Sequence, residues 1–248
     1  MLTAEDVSKE YMVRDKGKKV KLHAVKPVSL ELQNGGLYAL VGESGSGKTT
    51  LARMLAGIVR PTGGNISLDG QNIFHAKDRR DIYRKLQIVF QDAESSLNPQ
   101  MTVYDLIAEP LRNLLKLPRD EEEHRVHELI ARMGLPPEYC RRRPRELSGG
   151  QQKRVSIARA IGAKPEILIF DEALSGLDVI VRKQTLELLD ELHSELKCTY
   201  LMITHDIDVA LYMADTIFVM KDGEIVERAR YKGDVNCFTH EYSRLLLR

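Results

Sequence analysis

The chain lacks the features that mark several large classes of protein. Its three cysteines, Cys140, Cys198 and Cys237, are widely spaced, odd in number and free of any CxxC pair. That pattern argues against a disulfide framework or a zinc site and fits a reducing cytoplasm. Neither sign of charge predominates: 37 lysines and arginines face 36 aspartates and glutamates, so no global field draws the protein onto nucleic acid or anionic lipid. No stretch approaches the roughly 20 consecutive apolar residues that cross a bilayer, and membrane association is therefore expected through another protein. At the N-terminus, Glu5 and Asp6 stand where a secretory signal carries lysines, and no apolar run follows. Repeats and low-complexity tracts are absent, and the turn-rich stretch at Arg60 to Asn65 is only a tight connection.

What is present is an alternation of short apolar strands and helices. With 248 residues, 43% of them hydrophobic, the chain supports one large α/β domain carrying an inserted lobe. Residues 37–41 read as a buried strand, followed by a glycine-rich loop and a helical pattern over 49–57. Further apolar strands over 167–170 and 200–203 flank a helix with leucines at 188, 189, 192 and 196, which implies a parallel sheet. Strands at 66–68 and 216–220 precede the turns Asp69-Gly70 and Asp222-Gly223 and predict antiparallel decoration. Residues 92–156 read as a helical subdomain set into a core of 1–91 and 157–248. Within it, Asp120 with Glu123 predicts a capping box at the start of a helix over 120–133, with Val126, Leu129, Ile130 and Met133 on one face.

The loop after the first buried strand is Gly42-Glu43-Ser44-Gly45-Ser46-Gly47-Lys48-Thr49, with Thr50 next, a full match to G-x-x-x-x-G-K-[ST] in its proper strand-to-helix setting. Glycines let backbone N–H groups turn toward phosphate oxygens, and the helix N-terminus adds its dipole. Lys48 is expected at the β- and γ-phosphates and the Thr49 hydroxyl on Mg²⁺. Hydrolysis also needs a metal-side carboxylate and a group that activates water. Asp171, ending the strand over 167–170, suits the first task, and Glu172 suits the second as general base. His205, closing the strand over 200–203, is placed to bond the γ-phosphate or to hold Glu172.

A family resemblance follows from these residues. Leu147-Ser148-Gly149-Gly150-Gln151, continued by Gln152 to Ala160, resembles the signature sequence of the ATP-binding-cassette family, and the motifs occur in that family's order. The resemblance spans essentially the whole chain. It implies an α/β P-loop NTPase core with an antiparallel β edge and an inserted helical subdomain. It also implies that Tyr11 stacks on adenine, that Gln91 touches both the metal and a membrane subunit, that Ser175 to Asp178 form the D-loop, and that His205 is the switch histidine. Ser148 and the amides of Gly149, Gly150 and Gln151 would make a second anion nest, serving the ATP of a partner cassette. ATP and Mg²⁺ are thus the expected ligands, with a second cassette, identical or related, completing each site.

A narrower resemblance concerns cargo. Phe90-Gln91-Asp92, Ser96-Leu97-Asn98-Pro99, Asp171-Glu172-Ala173 and the terminal Thr239-His240-Glu241-Tyr242-Ser243 are similar to the oligopeptide, dipeptide and nickel importers. Ala93, Gly176 and Arg182-Lys183 depart from that pattern, and the short C-terminus leans toward metal or metal-chelate cargo. The implied setting is the cytoplasmic face of the cell membrane, with two integral-membrane permease subunits, an extracytoplasmic solute-binding protein and no nucleic acid. Two other readings are a soluble cassette acting on nucleic acid or ribosomes, and a P-loop phosphotransferase. The first usually fuses two cassettes or carries a coiled coil, and the second has no need of the signature. The basic run Arg141 to Arg143 with Arg145 reads as a solvated face, and His124 with His127 lack a third ligand at suitable spacing.

Overall fold

The computed structural model describes residues 1–15, 18–76 and 78–247. The opening segment holds β1 (Leu2–Asp15), β2 (Lys18–Leu32), β3 (Leu37–Val41), α1 (Lys48–Leu55), β4 (Gly63–Leu68) and β5 (Gln71–Asn72). The central segment holds α2 (Arg79–Lys85), β6 (Leu86–Val89), α3 (Ala93–Ser96), α4 (Val103–Pro110), α5 (Arg119–Arg132), α6 (Gly149–Gly162), β7 (Ile167–Asp171) and α7 (Val179–Leu196). The closing segment holds β8 (Thr199–Thr204), α8 (Ile207–Met213), β9 (Thr216–Lys221), β10 (Glu224–Arg230) and α9 (Glu241–Leu246). Two compact units result: the opening and closing segments together, Met1–Lys77 with Thr199–Arg248, and the central segment, Asp78–Cys198.

In the first unit, β3 pairs in parallel with β8 on one side and β9 on the other, and β10 returns antiparallel to β9. β3 and the middle of β8 are apolar because helices cover a parallel sheet, so alternation is lost and both strands are buried throughout or nearly so. Tyr38 of β3 stacks on Phe218 of β9, ring centres 6.1 Å apart. Leu51, Met54 and Leu55, on the inner face of α1, are fully buried. A second sheet, ordered β2-β1-β4-β5, is antiparallel throughout. Both hairpins expected from Asp69-Gly70 and Asp222-Gly223 form. The long β1–β2 arm has no counterpart in the strand pattern of the sequence. Its outer half carries exposed residues on both faces, so period-two alternation is missing there.

In the second unit, β6 and β7 run parallel, Leu86 opposite Ile167 and Val89 opposite Phe170. The helices pack through Leu106, Ile107, Leu111, Val126, Leu129, Ile130, Val155 and Ile161, all nearly or fully buried. Gly162 of α6 brings that helix close to α4 and α5: a Cβ there would sit 3.4 Å from Leu129 and 3.7 Å from the Ile107 carbonyl. After Pro110, which cannot donate to the helical ladder, the backbone widens into a π-helical turn over Leu111–Leu115. The start of α5 corrects one expectation. It begins at Arg119 behind Pro118, with no side-chain cap, and Asp120 with Glu123 forms no box. Asp120, Glu121 and Glu122 instead occupy the first turn, where carboxylates complement the helix dipole. Glu122 turns inward, only 3% exposed, and accepts from the Arg112 guanidinium at 2.6 and 2.8 Å and from the Tyr104 hydroxyl at 2.9 Å.

Candidate nucleotide-binding site

In the first unit the loop at 42–47 leaves β3 at the carboxyl end of the parallel strands, where α/β sheets bind ligands. Val41 lies opposite Thr204 of β8, so Gly42 and His205 leave neighbouring strands at the same level. Two glycines fix the loop's path. Gly42, at φ +153°, lies so near the chain that a Cβ would stand 2.1 Å from the Met220 carbonyl oxygen. Gly47, at φ +104°, would place one 2.3 Å from the Ala24 carbonyl oxygen. Neither position admits a side chain without moving backbone, which leaves a bare cradle of peptide groups.

Gly47 caps α1 without any side-chain bond, at the end of a helix where backbone amides and the dipole suit an anion. Lys48, 4% exposed, donates from Nζ to the Gly42 and Glu43 carbonyl oxygens, both at 2.7 Å. The ammonium thus sits within the loop it would serve. Ser46 is buried, and its hydroxyl has no hydrogen-bond partner among the described residues. Thr49 and Thr50 are half-buried in the first turn of α1. His205 is exposed between β8 and α8, whose cap Asp206 accepts from the Asp208 and Val209 N–H groups at 3.0 and 3.3 Å. Tyr11, in β1 opposite Leu22, is 38% exposed with the Lys9 ammonium 5.2 Å from its ring centre. A residue not anticipated at this loop is Tyr242, whose hydroxyl accepts from the Glu43 N–H at 3.1 Å.

In the second unit the register of β6 and β7 brings out Gln91, Asp171 and Glu172 at one end. Asp171 is the last residue of β7, within the strand rather than beyond it, and 2% exposed. Glu172 has φ +49°, a left-handed conformation that costs a residue with a Cβ about 1–2 kcal/mol. Its carbonyl accepts from the Ser175 N–H at 3.0 Å and the Ser175 hydroxyl at 2.8 Å, and buried Ala173 and Leu174 pin the turn. The same left-handed conformation occurs at Asp6, Asp69, Lys116, Lys164, Lys197 and Asp222, so it describes the turn and does not by itself single out Glu172.

Ser148 caps α6, and a reciprocal pair with Gln151 closes the cap: the Ser148 N–H donates to Gln151 Oε1 at 2.9 Å, and the Gln151 N–H to Ser148 Oγ at 3.4 Å. Gly149 is exposed and Gly150 half-buried, and a Cβ on Gly150 would lie 3.2 Å from Val181 in α7. Asp178 caps α7, accepting from Ile180 and Val181 at 3.1 and 3.0 Å. Lys153, one turn into α6, donates to the Ser175 carbonyl, and burial pulls its ammonium below the usual lysine range. That bond joins the helix behind Ser148 to the turn that holds Glu172. Burial pushes the Cys140 and Cys237 thiols up, so neither has the lowered value of a reactive cysteine.

A glycine cradle between a parallel strand and a helix, with a lysine inside it, defines a P-loop nucleotide-binding protein. A family profile described as ABC transporter matches residues 25–175. The oligopeptide transport ATP-binding protein OppF of Lactococcus lactis is 40% identical over 90% of this chain and 71% of its own length. A putative peptide import ATP-binding protein of Brucella abortus is 44% identical over 94% of the chain and 71% of its own. Among solved structures, the dimeric bacterial ABC transporter cassette MJ0796 superposes with TM-score 0.83 at 29% identity, over 94% of this chain and all of that one. The same cassette in a dimeric post-hydrolysis state bound to ADP and Pi gives 0.82. The chain belongs to the ABC transporter family, and its enzymatic activity is ATP hydrolysis coupled to transport.

Proposed function

We propose that this protein energises the import of peptides through separate permease subunits, working as one of a pair of cassettes at the inner face of the membrane. The observation that carries the cargo is the 40–44% identity to relatives named for peptide transport over nine-tenths of the chain. It outweighs the lean toward nickel or metal chelates taken from a short C-terminus. No helix among the described residues is long and apolar enough to cross a membrane.

The roles of Tyr11, Gln91 and Asp178 follow from the family resemblance, and those of the other residues also from their chemistry. Residues 42–50 hold the phosphates, and Lys48 with His205 stabilises charge on the transferring phosphoryl group. Glu172 orients a water and accepts its proton as the water oxygen bonds to the γ-phosphorus and the bond to the ADP oxygen breaks. Thr49, Gln91 and Asp171 offer the hard oxygen donors that Mg²⁺ takes, and the ion when bound supplies neutralisation of phosphate charge. Tyr11 supports adenine by stacking. Ser148 to Gln151 and Asp178 serve the ATP held by the partner cassette, since amides at a capped helix start suit an anion. Residues 92–156 form the helical subdomain that Gln91 links to the ATPase core, 1–91 and 157–248.

Cargo is tested by uptake. Cells lacking this gene lose accumulation of a labelled oligopeptide and keep that of labelled nickel, and expression of the chain restores the first. Unchanged peptide uptake with lost nickel uptake reverses the assignment.

A further inference from the structure

The closing helix α9 has only six residues, yet the segment leading into it is tied down. One carboxylate oxygen of Glu227 in β10 accepts from the Thr239 N–H at 2.6 Å, the Thr239 hydroxyl at 2.8 Å and the His240 N–H at 3.1 Å. The Arg244 guanidinium donates to the carbonyl of Phe238 at 3.1 Å, and the Phe238 ring is buried. These anchors deliver Tyr242, 6% exposed, to the phosphate loop, where its hydroxyl accepts from the Glu43 N–H across 199 positions of sequence. The Lys221 ammonium lies 4.7 Å from the centre of the ring. Burial pushes the phenol above its ordinary value, so it stays neutral wherever the enzyme works.

This bond matters because of what Lys48 does. Its ammonium holds the Gly42 and Glu43 carbonyls, yet it is the group that turns to the phosphates when ATP arrives. As those two bonds are exchanged for phosphate, the Gly42–Glu43 stretch is left with the Ser46 N–H bond to the Glu43 carbonyl at 3.2 Å and the bond from the Glu43 amide to Tyr242. We propose that Tyr242 is a positioning residue for ATP, its hydroxyl bracing the Glu43 peptide so that the loop keeps its phosphate-binding form after Lys48 turns to the nucleotide. The inference rests on reading residues 42–50 as the ATP site.

Tyr242→Phe in the full chain keeps the ring and removes the hydroxyl. The KM and dissociation constant for ATP, measured with magnesium, rise about 3- to 10-fold, the range spanned by one neutral hydrogen bond. Turnover at saturating ATP stays within twofold of wild type. A residue that only packs the C-terminus would lower the melting temperature and leave KM unchanged, and that result overturns the proposal. Glu227→Ala frees the segment without touching Tyr242 and raises KM in the same direction. The double variant then exceeds the larger single effect by less than twofold, because both changes act on one strut. Unchanged KM in both single variants, or full additivity, refutes the brace. Lys48→Ala separates the two readings: if it binds ATP as wild type does, the ATP site itself is misplaced and the brace falls with it.

Discussion

Gly47→Ala tests the claim that close backbone approach, and not flexibility, is what the phosphate loop requires of its glycines. At φ +104° an alanine pays the left-handed penalty, about 1–2 kcal/mol. Its Cβ would also stand 2.3 Å from the Ala24 carbonyl and 2.9 Å from the Met220 methyl, so β2 and the loop must separate. Forcing atoms into a packed site typically adds about 1–3 kcal/mol. Gly45 supplies the control within the same loop. It has φ +84° and nothing within 4 Å of where a Cβ would go, so Gly45→Ala carries the conformational penalty alone. In nucleotide-free protein, denaturant unfolding should therefore show Gly45→Ala losing about 1–2 kcal/mol and Gly47→Ala about 2–5 kcal/mol, out of a total of order 5–15. By differential scanning calorimetry the second variant melts about 2–12 °C below the first, at about 2–4 °C per kcal/mol for a chain of this size. Equal losses at the two positions would refute the reasoning, because only the steric part differs between them.

Glu172→Gln should retain ATP binding and lose turnover by about 10²- to 10⁴-fold, since the amide has the carboxylate's shape and cannot accept the water's proton. ATP-dependent dimers should accumulate, as size-exclusion chromatography with and without ATP would show; near wild-type turnover would mean that another group activates water. In the second unit, Glu122→Gln should cost about 2–3 kcal/mol at pH 7, less than the roughly 3–5 of a fully buried pair because Arg112 is 42% exposed. The Arg112 guanidinium holds the Glu122 carboxyl below the usual glutamate range, so its contribution is complete above the unfolded value of about 4.3 and is lost as pH falls through the lower folded one. Urea titrations of both proteins should thus converge as the pH is taken well below 4, and a constant difference would contradict the pair's role.

How much of this was legible in the sequence depended on whether a residue's partner lay nearby. The strand β3, the loop at 42–47 and α1 follow one another without interruption, so the loop's chemistry could be read from its spacing and neighbours alone. The signature from Leu147 to Gln151 was equally readable, being one unbroken stretch. The strand β1 was not, since Tyr11, Met12 and Val13 are exposed and carry no inward-facing rhythm. The acids Asp120 and Glu123 were misread as a cap because the box pattern is indifferent to a preceding proline, which here supplies the helix entry. The burial of Glu122 was invisible because its Arg112 partner sits in a separate helical turn, and Tyr242 was invisible at the loop because 199 positions separate it from Glu43. The strain at Glu172 could not have been foreseen, as nothing in Asp-Glu-Ala specifies a left-handed residue.

The central claim is that each ATP is hydrolysed between two cassettes, one providing residues 42–50 with Glu172 and the other Ser148. The direct measurement is ATP turnover per chain as the wild-type protein, together with its co-expressed partner cassette, is diluted from well above to well below the dimer dissociation constant. Specific activity should fall along the dissociation curve, and adding back the concentrated partner should restore it. Flat specific activity across that range would show that a single cassette completes its own site, and the paired mechanism would be wrong for this protein.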